Sequence, residues 1–110
     1  MNRFIVVTTP MVPGYRIVRT LGLARGNTIR ARHLGKDILA SFRNLVGGEI
    51  QEYTKLMAES REQALDRMTE EAKQLGANAI TGLGFSTSVI MGGAAELLAY
   101  GTAVVIEEET

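Results

Sequence analysis

The chain has 110 residues with no net formal charge, and it contains no cysteine. This length suits one small domain over residues 1–110, and 45% hydrophobic against 22% charged residues is typical of a globular protein rather than a disordered one. The lack of cysteine excludes disulfides, thiolate zinc sites, iron–sulfur clusters and cysteine nucleophiles.

The N-terminal segment predicts neither a signal peptide nor a membrane anchor. Its apolar run covers only residues 4–7 and is followed by Thr8, Thr9 and Pro10. The apolar core of a signal peptide needs roughly 7–15 residues, and a membrane span needs about 20. We therefore expect a cytoplasmic protein without a membrane partner.

Charge is divided unevenly along the chain. Residues 1–48 hold eight basic residues and one acidic residue, Asp37, for a net charge of +7, and residues 49–110 carry −7. Folding could interleave the two halves. Alternatively, the basic half could attract an anionic partner or the acidic half of a neighbouring copy.

Two strands are predicted in the first quarter of the chain. The sequence FIVVTT, starting at Phe4, is rich in β-branched residues and ends at Pro10. The second strand is predicted over residues 15–24, where side chains alternate between two sides. On one side we expect Tyr15, Ile17, Arg19, Leu21 and Leu23.

A basic segment and a first helix are predicted next. Residues 28–37, TIRARHLGKD, have no clean period and predict a loop that leads into the helix. Apolar residues at helical spacing then indicate the helix, which Gly47 and Gly48 end. These residues are Ile38, Leu39, Phe42, Leu45 and Val46.

A second, longer helix is predicted from Glu49 to Leu75. Its apolar residues keep helical spacing, while charged residues such as Arg67 are expected to face water in ion pairs. The expected buried stripe is Ile50, Tyr53, Met57, Ala64, Met68, Ala72 and Leu75.

The glycine-rich run KQLGANAITGLGFS, residues 73–86, looks like a phosphate loop but has the wrong order of elements. A phosphate loop places glycines after a strand and before a helix, so that helix N–H groups point at the anion. Here Gly76 follows the last periodic position of a helix and predicts a C-terminal cap. The following strand places small residues, including Gly82, Gly84 and Ser86, on one face.

The last strand, in LLAYGTAVVIEE, is predicted to pair with the strand before it. It is apolar on both sides, with Leu97 and Val105 on one and Leu98 and Ile106 on the other. A two-layer domain covers only one face of its sheet with its own helices. We therefore predict a homo-oligomer in which another copy covers the second face.

Taken together, several motifs resemble the YbjQ-like family of small bacterial and archaeal proteins, whose domain carries a heavy-metal-binding label. The motifs are Thr8-Thr9-Pro10, Gly14-Tyr15, LVGGEIQEY at 45–53, LGANAITGLGF at 75–85 and GTAV at 101–104. The resemblance implies an α+β, dodecin-like subunit in β-β-α-α-β-β order, with helices on one side of an antiparallel sheet. It also implies a homopentamer and no established activity.

Candidate metal ligands are few. His33 is the only imidazole, and Asp37 lies four residues on, where a helix would place both on one side. Copies around a symmetry axis could complete the coordination sphere of a divalent ion. Soft thiolate and imidazole donors, which heavy metals prefer, are otherwise lacking.

The basic segment from Arg25 to Arg43 is the candidate site for a small anionic ligand or for nucleic acid. The balanced net charge and the lack of a recognisable motif argue against nucleic acid. His33 is the only histidine that could act as the base for a serine nucleophile, and no catalytic triad is indicated. We therefore expect a protein that is not an enzyme. The candidate anion-binding residues are Arg25, Arg30, Arg32, Lys36 and Arg43.

Overall fold

A computed structural model describes residues 3–30, 50–90 and 94–109. The predicted first helix, over residues 38–46, lies outside these ranges, as does most of the basic segment before it. Within them the elements are β1 (Ile5–Val6), β2 (Tyr15–Arg30), α1 (Ile50–Gln74), β3 (Ala79–Ile90) and β4 (Ala94–Glu108). The described part of the chain is thus α+β, as expected.

The strands form one sheet in the order β1-β3-β4-β2. β4 pairs antiparallel with both β3 and β2, but β1 pairs parallel with β3, with Ile5 opposite Ala79. The expectation of an all-antiparallel sheet is therefore wrong at this pair. The physical reason is the connection after β1, which crosses one face of the sheet and brings β2 to the far edge in the same direction as β1.

β2 and β4 form a long ladder that runs from the pair Tyr15 and Glu108 to the pair Arg30 and Ala95. β2 is thus six residues longer than predicted and includes the start of the segment expected to be a loop. At these strand lengths, about 3.3 Å per residue, the ladder is close to 50 Å long.

Bulges change which side chains share a face. β2 shifts register between Ile17 and Arg19 and again between Thr20 and Gly22, and β3 shifts between Thr81 and Gly84. Simple alternation is therefore wrong across these points. Gly82, inside the third bulge, has a φ of +66°, which favours glycine because it has no Cβ.

α1 packs on the face of the sheet that presents small residues of β2 and β4. Ala24, Ala99 and Ala103 are fully buried there against Ala64, Met68 and Ala72 of the helix. These helix positions belong to the predicted stripe, which is confirmed for them. Leu75 is the exception, because the helix ends at Gln74 and this side chain is 44% exposed.

The helix ends as its sequence predicts. Gly76 has a φ of +96°, its N–H donates to Lys73 O at 3.0 Å, and Ala77 N–H donates to Ala72 O at 3.0 Å. This pair of bonds is the Schellman motif of helix C-termini. The first glycine of the run is therefore a cap.

The N-terminal segment covers one end of the other sheet face. Val12, in the connection between β1 and β2, packs with Ala79, Val104 and Ile106, and all four are buried. At this end, therefore, the chain itself covers part of the face that another copy was predicted to cover. The rest of the face has no such cover from the described residues.

Candidate functional site

The uncovered part of the second sheet face is the main surface feature of the described chain. We call it the open face and define it by Leu23, Arg25 and Ile29 of β2 and by Leu98 and Tyr100 of β4. Leu23 is 57% exposed, Ile29 56% and Tyr100 38%, and Leu98 is half-buried. Apolar side chains on two hydrogen-bonded neighbouring strands thus remain in contact with water.

The register explains why these side chains share one face. Arg25 lies opposite Tyr100, and the pairs on either side place Leu23 opposite Thr102 and Asn27 opposite Leu98. Residues directly opposite in an antiparallel pair point to the same face. Because Ala24 and Thr28 are buried on the helix side, their neighbours in β2 must point to the open face.

Tyr100 also explains one glycine of the glycine-rich run. A Cβ added to Gly84 would lie 2.7 Å from the Tyr100 hydroxyl oxygen and 2.8 Å from Cζ, so the ring lies across the bare strand at this point. At this position, therefore, the small residue of β3 leaves space for the packed ring of Tyr100. Ser86 and Ser88, further along the same face, are exposed.

The candidate anion-binding residues are only partly described. Arg25 lies on the open face beside Tyr100, and Arg30 ends β2 opposite Ala95. Five residues of strand separate the two by about 16 Å. Arg32, Lys36 and Arg43 lie outside the described residues.

Elsewhere the two oppositely charged halves are interleaved by folding. Arg16 Nη2 lies 3.2 Å from Glu107 Oε1. Asn27 Nδ2 donates to Glu96 Oε2 at 2.9 Å. The basic strand β2 therefore contacts acidic residues of its own chain at both of these points.

The candidate metal ligands, His33 and Asp37, lie outside the described residues. Among residues 3–30, 50–90 and 94–109, no group of three His, Asp or Glu side chains is placed to hold a metal ion. The same ranges contain no helix that is both long enough and apolar enough to cross a membrane.

One arrangement was not predicted from the sequence. Glu71 Oε1 accepts a hydrogen bond from the backbone N–H of Arg25 at 3.1 Å, and Arg67 Nη1 donates to the carbonyl oxygen of Asn27 at 2.5 Å. The sequence predicts Arg67 to face water, and the side chain is exposed but binds the strand. Two features of the sequence could have indicated this contact. One is the i,i+4 spacing of Arg67 and Glu71, and the other is the glycine at position 26.

The described fold and its open face define a small α+β domain with a helix on one side of a mixed sheet. The YbjQ family model, described as "Putative heavy-metal-binding", matches residues 4–107. The chain therefore belongs to the YbjQ family, which confirms the resemblance in its motifs.

Relatives from archaea and bacteria align over nearly all of the chain. A UPF0145 protein of Pyrococcus furiosus is 59% identical over 109 residues, covering 99% of this chain and 96% of that protein. A UPF0145 protein of Dehalococcoides mccartyi is 55% identical over 103 residues, covering 94% of this chain and 99% of that protein. These names state no activity.

A solved structure supports the fold. It is the crystal structure of a protein of unknown function of the DUF74 family from Pediococcus pentosaceus, with a TM-score of 0.62 and 18% identity. The alignment covers 94% of this chain and 98% of that one. At this identity the likeness concerns the fold alone.

Proposed function

We propose that the protein is a non-enzymatic binding or assembly module whose copies associate through the open face. The observation that carries this proposal is the exposure of Leu23, Ile29 and Tyr100 on adjacent strands. Because these side chains are already partly buried, covering the rest of each contributes about 1 kcal/mol, less than the roughly 1.5–3 kcal/mol for burying a fully exposed one. Several such side chains in one patch, rather than scattered singly, favour a protein neighbour.

A second copy is the occupant that the chain itself supplies. The N-terminal segment covers Val104 and Ile106 but stops short of Leu98 and Tyr100 on the same strand. An interface over the rest of the face would continue this apolar layer. The family resemblance implies that the resulting assembly is a homopentamer.

The test is the molar mass of the full chain in solution. We expect light scattering on a sizing column, at micromolar concentration, to give a multiple of the 11.9 kDa chain mass, five for the pentamer. Leu23→Lys should lower that mass, because it places a charge in the interface. The control is Leu75→Lys, an exposed leucine just beyond α1, which should not.

Two results would remove this proposal. One is a folded monomer for the unmodified chain. The other is a Leu23→Lys variant that remains folded and keeps the mass of the unmodified chain.

Metal binding is a second candidate, favoured by the description of the family model. We place the donors at His33 and Asp37, with neighbouring copies completing the coordination sphere. Elemental analysis of protein purified without an affinity tag should then find a stoichiometric divalent metal, and His33→Ala should lose it. If the protein is purified metal-free and does not bind added zinc, copper or nickel, this candidate is rejected.

The alternative is a small anionic ligand or nucleic acid bound by the basic segment from Arg25 to Arg43. It is favoured by the exposed Arg25, which lies on the open face beside Tyr100. Retention on a heparin column should then fall steeply as salt is raised and should weaken in Arg25→Ala. A chain that fails to bind heparin at low salt is not such a binder.

A further inference from the structure

The free edge of β2 is a second surface through which copies could associate. β2 ends the strand order, and no described strand pairs with its outer side. An unpaired edge is a template for another strand, which would extend the sheet from chain to chain. From Gly22 to Arg30 the ladder has no further bulge that would hinder such pairing.

The outward backbone groups at the middle of this edge are already occupied. The N–H of Arg25 bonds to Glu71 of the helix rather than to β4, so it points away from the sheet. Residues two apart in a strand direct their backbone groups to the same side. Consistently, the carbonyl of Asn27 also points outward, and Arg67 donates to it.

Gly26 allows the helix side chains to reach the edge. It lies between Arg25 and Asn27, and a Cβ added there would collide with Met68 N and Ala64 O of the helix backbone. The helix axis is therefore unusually close to β2 at this residue. Arg67 and Glu71 lie one helical turn apart. Their side chains can therefore extend past β2 to its unpaired outer edge.

We propose that Arg67 and Glu71 are an edge guard, which closes the middle of β2 to strand pairing. An incoming strand from a second copy would need the same N–H of Arg25 and carbonyl of Asn27. While the guard holds these groups, association is restricted to the open face. This restriction to the face rests on the function proposed above, whereas closure of the edge does not.

The test compares the double variant Arg67→Ala/Glu71→Ala with a matched control in the full chain. Arg61→Ala/Glu62→Ala also removes one positive and one negative side chain from α1, at exposed positions. At equal concentration, only the guard variant should form larger, sedimenting assemblies that bind thioflavin T. If it remains folded by circular dichroism and its size and dye binding equal those of the control, the guard is rejected.

Hydrogen exchange gives a readout that does not depend on assembly. The Arg25 amide should exchange at least tenfold faster in Glu71→Ala than in the unmodified chain, and Glu71→Gln should retain most of the protection because its side-chain oxygen still accepts. Equal exchange in Glu71→Ala and the unmodified chain would overturn the proposal, even if the double variant fails to fold.

The guard and the proposed interface can be separated in one further variant. In a Leu98→Lys background, which places the charge on the open face but in β4 rather than in the edge strand, removal of Arg67 and Glu71 should still produce strand-paired assemblies. If Leu98→Lys has no effect on molar mass but these assemblies form, the open-face interface fails while the guard stands. If it lowers the mass and no strand-paired assembly forms in the triple variant, the guard fails alone.

Discussion

Asn78 completes the hydrogen bonding of Ile106 with its side chain. Its Nδ2 donates to Ile106 O at 2.9 Å, and its Oδ1 accepts from Ile106 N at 2.8 Å. The backbone of Asn78 meanwhile donates to Val104 O and accepts from Ile5 N. One residue at the turn from α1 into β3 thus makes one hydrogen bond to β1 and three to β4.

We therefore predict that Asn78→Ala destabilises the fold by about 2 kcal/mol, since a net hydrogen bond contributes roughly 1 kcal/mol. Asn78→Asp should lower the free energy of unfolding at least as much as Asn78→Ala, because a carboxylate cannot donate to the carbonyl of Ile106. Urea unfolding at one fixed protein concentration measures both. Gln74→Ala, an exposed amide at the end of α1, is the control and should change stability by less than about 0.5 kcal/mol.

Gly26→Ala should be the more damaging of two glycine substitutions. Its Cβ would meet backbone atoms of Ala64 and Met68, which cannot move without displacing the helix. We expect a loss of about 3 kcal/mol or failure to fold. Gly84→Ala is the matched control, because the three atoms nearest to its Cβ all belong to the side chain of Tyr100, which is 38% exposed and can rotate away.

For Gly84→Ala we expect a loss of about 1 kcal/mol or less. Urea midpoints and soluble yields of the two variants measure the difference. Equal losses would mean that the close approach of α1 to β2 does not limit what position 26 can hold.

Substitutions at Gly82 test the cost of the backbone conformation alone, without contacts to neighbouring residues. A Cβ there would meet nothing within 4 Å, but the φ of +66° is unfavourable for residues with a side chain. Gly82→Ala should therefore cost about 1–2 kcal/mol. Gly82→Asn should cost less, because asparagine tolerates this conformation better, and thermal unfolding of the pair would show the order. The opposite order would contradict a conformational origin.

The long helix, its cap and the strong strands were predictable because their signals are local. Ala64, Met68 and Ala72 show the helical period directly, and Gly76 has the position of a cap in the sequence. In the final strand, successive side chains from Leu97 onwards alternate between the two faces, and both faces are apolar. Each of these features depends on neighbours within a few positions of the chain.

The features that were missed depend on contacts between distant residues. The bulge at Gly82 resets the faces of β3, and nothing in TGLG alone distinguishes a bulge from continued alternation. The parallel pairing of β1 depends on the path of residues 7–14 across the sheet, where Val12 packs against Val104 and Ile106. Likewise, Glu71 and Arg25 are 46 residues apart, and only the packing of α1 on Gly26 brings them together.

The ion pair of Arg16 and Glu107 should contribute little, despite the strong charge asymmetry of the sequence. The atoms are 3.2 Å apart, but the two side chains are 66% and 57% exposed. Exposed pairs typically contribute between about 0.2 and 1 kcal/mol, and salt screens them. We expect Arg16→Ala to lower stability by about 0.5 kcal/mol in low salt and by less in high salt.

The charge-swapped double variant Arg16→Glu/Glu107→Arg should return stability to within about 0.3 kcal/mol of the unmodified chain, because the pair is an isolated surface contact. Each single reversal should be worse than the double, since it places like charges on opposed strands. Urea unfolding at two salt concentrations measures all four chains. A loss above about 2 kcal/mol for Arg16→Ala, independent of salt, would instead show that Arg16 is buried in an interface, because only desolvated charges depend so strongly on their partners.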